Sequence, residues 1–136
     1  MTLKIIKLKK FIDKNGALTP IYLKSFPNFK IKRLFILSGN KDFIRGKHAH
    51  KKCTQIFIPI SGSVKVEVLS KSKKKYTLGE NLRKILIIPP MNWCELKFLK
   101  NKSSLLVLCD VEYSEKEYIR DFNIFSKKIN IKKIIK

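Results

Sequence analysis

The residues best suited to chemistry in this 136-residue chain lie in one stretch, Arg45-Gly46-Lys47-His48-Ala49-His50, which holds both of its histidines. Imidazole ordinarily titrates nearest neutrality, so a pair of such rings can take up and return a proton at physiological pH. In a strand, residues two apart point to the same face, and His48 and His50 are therefore expected to enter one cavity together. Gln55 opens the apolar run that follows, and Gly62 stands at the turn after that run. Arg45 and Lys47 flank the histidines, where they can clamp an anionic group such as a diphosphate, Arg45 with bidentate geometry. Lys47 reads equally as an ordinary surface lysine, and Trp93, the only tryptophan, either stacks on a bound ring or fills the core.

Short β-rich elements must hold these residues. Lys32 to Leu37, Gln55 to Ile60, Ser63 to Leu69, Lys84 to Ile88, Glu95 to Leu99 and Ser104 to Val111 are strand-length and rich in β-branched and aromatic residues. Turn chemistry separates them at Ser38-Gly39-Asn40, at Ser61-Gly62, in the polar run Ser70 to Lys75, which reads as a hairpin tip, and at Pro89-Pro90. The pattern predicts an all-β antiparallel sandwich or jelly roll. A helix is expected near the C-terminus, capped by Ser114 with Glu117 in capping-box spacing and with Tyr118, Ile119 and Phe122 on one side. Residues 124 to 136 mix isoleucine and lysine at helix-like intervals, and the length of the chain fits a single domain over residues 1–136.

The formal charge of +21 points toward a polyanionic ligand, but lysine dominates it and only Arg33, Arg45, Arg83 and Arg120 are arginines. Base-reading surfaces lean on the planar arginine fork, so nucleic acid is not the expected partner. Three cysteines, Cys53, Cys94 and Cys109, match neither a disulfide framework nor a zinc knuckle and fit a reducing cytoplasm. No run approaches the ~20 apolar residues that span a bilayer, and no membrane association is expected.

The His-x-His pair, Gln55 and Gly62 resemble the first motif of the cupin superfamily, with Gln55 in place of its carboxylate. The second motif is echoed around Pro89-Pro90-Met91-Asn92-Trp93-Cys94, where Cys94 stands in place of a histidine. An uncharged amide is a poor ligand for a divalent transition metal, so neither metal nor other cofactor is expected, although a Cys94 thiolate would complete a zinc site. More specifically, the chain is similar to the dTDP-4-keto-6-deoxyglucose 3,4-ketoisomerases, a family of small cupins. The likeness rests on Gly16-Ala17-Leu18-Thr19-Pro20-Ile21, Lys32-Arg33, residues 45 to 52, Gln55, Ser61-Gly62-Ser63, Pro89-Pro90-Met91 with Trp93, and Tyr118-Ile119-Arg120-Asp121-Phe122 with Phe125.

That resemblance implies a cupin jelly roll with a short C-terminal helix, forming a homodimer that can exchange N-terminal strands between subunits. It implies that a base removes the C3 proton of a dTDP-linked 4-keto sugar and that the enediolate is reprotonated at C4. His50 is the expected main proton carrier with His48 as its partner, an order the sequence itself leaves open. Arg33, Gln55 or a protonated histidine would steady the enediolate. Arg120 follows the family pattern as a substrate-binding residue or forms an exposed pair with Asp121. Trp93-Cys94 and Asn15 depart from the family pattern, so either the gluco or the galacto product remains open. A 3,5-epimerase on the same nucleotide sugar and a non-catalytic ligand-binding cupin are the alternatives. Product NMR separates the two enzymes, and salt-dependent binding would mark an electrostatic anchor.

Overall fold

Val64, Val66 and Val68 alternate with Lys65 and Glu67 along one strand, and all three valines are buried while the charged residues stay partly exposed. A similar period of two marks Arg33–Gly39 and Ser103–Cys109, and most strands stack in two sheets. The structure, a computed structural model, describes residues 1–79 and 84–130. In chain order the strands are β1 (Lys4–Lys7), β2 (Phe11–Asp13), β3 (Gly16–Leu18), β4 (Arg33–Gly39), β5 (Ile44–His50), β6 (Gln55–Ser61), β7 (Ser63–Leu69), β8 (Lys73–Gly79), β9 (Lys84–Ile88), β10 (Trp93–Phe98), β11 (Ser103–Cys109) and β12 (Tyr118–Ile119), followed by helix α1 (Phe122–Lys128).

One antiparallel sheet runs β1-β9-β6-β11-β4 and the other β12-β5-β10-β7-β8, while β2 and β3 form a separate hairpin. Phe57, Leu86, Leu105 and Val107 of the first sheet meet Val64, Val66, Leu96 and Phe98 of the second in the main core. This is the expected jelly roll with one short C-terminal helix. Gly62, at the corner between β6 and β7, has φ +70°, and a Cβ there would run into the Ser103 side chain, so the turn requires glycine.

Two local expectations are corrected. The Ser70 to Lys75 run is a turn only as far as Ser72; Lys73 to Lys75 already belong to β8, paired with Glu67 to Leu69. Glu67 draws the Nζ of Lys65 and of Lys73 to 3.3 Å, so lysines that look like a loop instead populate a charged edge strand. The capping box at Ser114 also starts no α-helix. Only a 3-10 turn covers Glu115–Glu117, and the Ser114 side chain makes no cap hydrogen bond. Aromatic Tyr118 and β-branched Ile119 pair with His50 and Ala49 along the open edge of β5 instead. The α-helix begins seven residues later, where the Asp121 carboxylate accepts from Ile124 N at 3.1 Å. Asn130, at φ +57°, lies just beyond its end in the left-handed region. The rest of the isoleucine–lysine tail, residues 131–136, lies outside the described residues.

Candidate active site

The approach to the histidines is shaped by a β-bulge that the sequence alternation does not show. β5 pairs Gly46 with Glu95 and His48 with Cys94, so its register slips by one residue against β10. Gly46 (φ +93°) and Lys47 (φ +59°) carry the distortion, and a Cβ on Gly46 would lie 2.7 Å from the Cys94 carbonyl oxygen. The bulge resets which face the following residues occupy. It also brings the Gly46 carbonyl oxygen within 3.1 Å of His48 Nδ1. A carbonyl only accepts, so Nδ1 carries the hydrogen and Nε2 of the neutral ring keeps its lone pair.

His48 lines a cavity of about 610 Å³ between the sheets. Phe35, Leu37, Phe57, Leu96 and Val107 form its apolar wall, and Arg33, Arg45, Lys47, Gln55, Tyr118 and Arg120 supply polar groups. An apolar cleft with a few convergent polar side chains is the usual form of a small-molecule site. His50 is not part of this lining. It is buried behind His48, the rings standing perpendicular with centroids 5.1 Å apart, and Tyr118 packs against both.

Both imidazoles are held neutral. His48 is pushed down to about 4 by burial first and then by the neighbouring His50, against the pull of the Gly46 carbonyl. Burial and the Arg33 and Arg120 guanidinium groups likewise push His50 down to about 4. Glu117 acts in the opposite direction, with Oε1 3.3 Å from His50 Nδ1. Its oxygens already accept from the backbone N–H groups of Lys52 (2.9 Å) and Cys53 (2.9 Å), so burial prevails. Glu117 and Tyr118 are the residues beside the two rings that the capping-box reading misplaced. Their usable signal was the alternation Tyr118-Ile119-Arg120, which puts Tyr118 and Arg120 on one strand face and Ile119 on the other.

The remaining expected residues divide clearly. Arg33 donates from Nη2 to the Tyr118 hydroxyl at 3.2 Å and lies over the Phe35 ring. Gln55 is buried at the cavity floor, where its amide donates to Cys109 Sγ at 3.4 Å. Arg45 and Lys47 stand at the rim, both exposed. Arg120 pairs with Glu115, not with Asp121, and stacks on Tyr118. Trp93 is the residue placed elsewhere: it is buried against Phe122 and Phe125, away from the cavity. As the first residue of β10, one position from Cys94, it faces the opposite side of the sheet from that cavity-lining cysteine.

The family described as "FdtA: WxcM-like, C-terminal" matches residues 1–130. The chain belongs to this family. It is 31% identical over 134 residues to the TDP-4-oxo-6-deoxy-alpha-D-glucose-3,4-oxoisomerase of Aneurinibacillus thermoaerophilus, covering 96% of each protein. QdtA, a sugar 3,4-ketoisomerase of Thermoanaerobacterium thermosaccharolyticum solved with TDP, superposes with a TM-score of 0.85 at 35% identity over 94% of each chain. A form of the same enzyme with one histidine replaced by asparagine, in complex with TDP-4-keto-6-deoxyglucose, gives 0.85 at 33% identity over 96% of this chain and 95% of the other.

In this FdtA-type chain the positions that would hold a cupin metal do not suit one. The Gln55 amide brings no charge and already donates to Cys109 Sγ. Cys94 is fully buried, which pushes its thiol up to about 12 and keeps it protonated. None of the described helices is long and apolar enough to cross a membrane.

Proposed function

We propose that this chain is a 3,4-ketoisomerase that moves the carbonyl of TDP-4-keto-6-deoxyglucose from C4 to C3. The observation that carries the reading is His48, a neutral ring on the cavity wall whose Nε2 is left basic by the Nδ1 bond to Gly46. Relatives named for this reaction, matching nearly the whole chain, support the same substrate class.

The chemistry follows from the groups in place. His48 Nε2 takes the C3 proton, and the electron pair of the C–H bond forms C3=C4 while charge collects on O4. Arg33 and the Tyr118 hydroxyl, already bonded to each other, favour that oxyanion as donors. The proton of the 3-hydroxyl passes to O4, a transfer the Tyr118 hydroxyl suits because it both accepts and donates. The His48 imidazolium then returns its proton to C4, leaving the carbonyl at C3. His50, the expected main proton carrier, stands behind His48, which favours a positioning role with Glu117 at its back. Arg45 and Lys47 at the rim suit the diphosphate. Trp93 does not serve the sugar in this reading. The test is to incubate the protein with TDP-4-keto-6-deoxyglucose and identify the product by NMR. A 3-keto sugar supports the reading, and inversion at C3 or C5 with the ketone still at C4 overturns it.

We propose further that the protein is a homodimer located in the cytoplasm. Leu34 (59% exposed) and Ile36 (63%) on β4, with Ile60 (52%) on β6, leave the outer face of one sheet apolar. The hairpin β2–β3 is exposed along both strands and carries Phe11, Ile12 and Leu18. Such faces suit a second copy, with the hairpin exchanged between subunits. Three free, buried cysteines fit a reducing compartment. Light scattering at micromolar concentration reads the assembly, and a monomer would overturn it.

A further inference from the structure

Behind the catalytic wall, three different metal-binding side chains converge outside the lining of the cavity. His50, Cys53 and Glu117 bring a ring nitrogen, a sulfur and a carboxylate oxygen within 4.8 Å of one another. All three are buried: the side chains of His50 and Glu117 are 8% and 9% exposed, and Cys53 is 3% exposed. Among the described residues His50 Nε2 has no partner, and Nδ1 has only the Glu117 carboxylate at 3.3 Å, outside hydrogen-bond geometry. A buried polar group left without a partner calls for an unseen water or ion. A water satisfies one ring nitrogen, but sulfur answers it only weakly.

We propose that His50, Cys53 and Glu117 form a binding site for a thiolate-preferring divalent cation of the zinc class. Nitrogen, sulfur and oxygen in this combination are the donor set of tetrahedral zinc. With Zn–N and Zn–O bonds of about 2.0 Å, a tetrahedral site needs an N···O edge of about 3.3 Å, and His50 Nδ1 stands 3.3 Å from Glu117 Oε1. The sulfur has an edge of about 3.5 Å to reach, and the three ligand atoms already lie within 4.8 Å of one another. The supporting shell is in place. The Glu117 carboxylate accepts from the backbone N–H groups of Lys52 and Cys53, which fix a ligating oxygen as outer-shell donors do.

Charge also balances. Cys53 loses its thiol proton to solvent as the metal–sulfur bond forms, so one thiolate and one carboxylate cancel the double charge beside Arg33 and Arg120. A water fills the fourth position and leaves that balance unchanged. The site differs from the one expected of the cupin motifs, since it turns away from the cavity and uses neither Gln55 nor Cys94.

The test titrates the full-length protein with Co²⁺ and then with Zn²⁺ against a chromophoric chelator. The expected result is one ion per chain and a thiolate-to-cobalt charge-transfer band that Zn²⁺ bleaches. Cys53→Ser should remove the band, and Glu117→Gln should weaken Zn²⁺ at least tenfold; Cys94→Ser should leave both intact. Circular dichroism of each apo variant checks folding. Should Cys53→Ser fail to fold, Glu117→Gln decides alone, and unchanged affinity there overturns the proposal. It is equally overturned if no band forms, or if Cys94→Ser loses the band while Cys53→Ser keeps it.

Discussion

Lowering the pH should weaken this fold by an amount that can be assigned to one ring. Burial and neighbouring charge hold His48 at about 4 in the folded protein, against about 6.5 for an exposed imidazole. The unfolded chain therefore binds more protons between those two values, and stability rises with pH across that window. The contribution is intact above about pH 6.5, is lost as pH falls toward 4, and is constant below 4. Between pH 7 and pH 5 the linkage amounts to about 2 kcal/mol for His48. His50, pushed down to about 4 as well, adds a similar amount. Urea unfolding of wild type and His48→Asn at the two pH values isolates the term, since the carboxylates are common to both. The wild type should lose about 2 kcal/mol more than the variant, with unchanged denaturant slope. Equal losses would mean that the ring titrates as though exposed, and the desolvated base would have to be abandoned.

Three further outcomes follow from particular contacts. His48→Asn should lower kcat by about 10²- to 10⁴-fold while TDP binding, measured calorimetrically, stays within a few-fold. Tyr118→Phe removes the hydroxyl that Arg33 holds and should cost about 10²- to 10³-fold in kcat with a small change in KM. Trp93→Ala should destabilise by about 3–5 kcal/mol in urea unfolding, yet leave KM of the folded fraction unchanged, because its ring packs on Phe122 and Phe125.

The sandwich was readable wherever one face of a strand is buried, as in β7, since Val64, Val66 and Val68 record the core in their spacing. The site was readable in residue type and only partly in geometry. His48 and His50 do lie together, but their inequality comes from a bulge at Gly46-Lys47, which no periodicity records, and from the docking of β12 over His50. Ser114 and Glu117 show how a local motif misleads. A helix N-cap is typically worth about 1 kcal/mol, and here the pairing of Tyr118 and Ile119 with β5 overrides it. Glu117 is thereby freed to turn toward Lys52, Cys53 and His50. Trp93 could not be placed from sequence because an aromatic ring serves a core and a sugar equally well.

The most direct measurement follows TDP-4-keto-6-deoxyglucose by NMR in deuterated buffer with wild type and His48→Asn side by side. The account predicts that wild type converts the sugar to a 3-keto product with the proton exchanged through His48, and that the variant leaves the sugar unchanged over the same period. Migration of the carbonyl at a near-normal rate in the variant would contradict it.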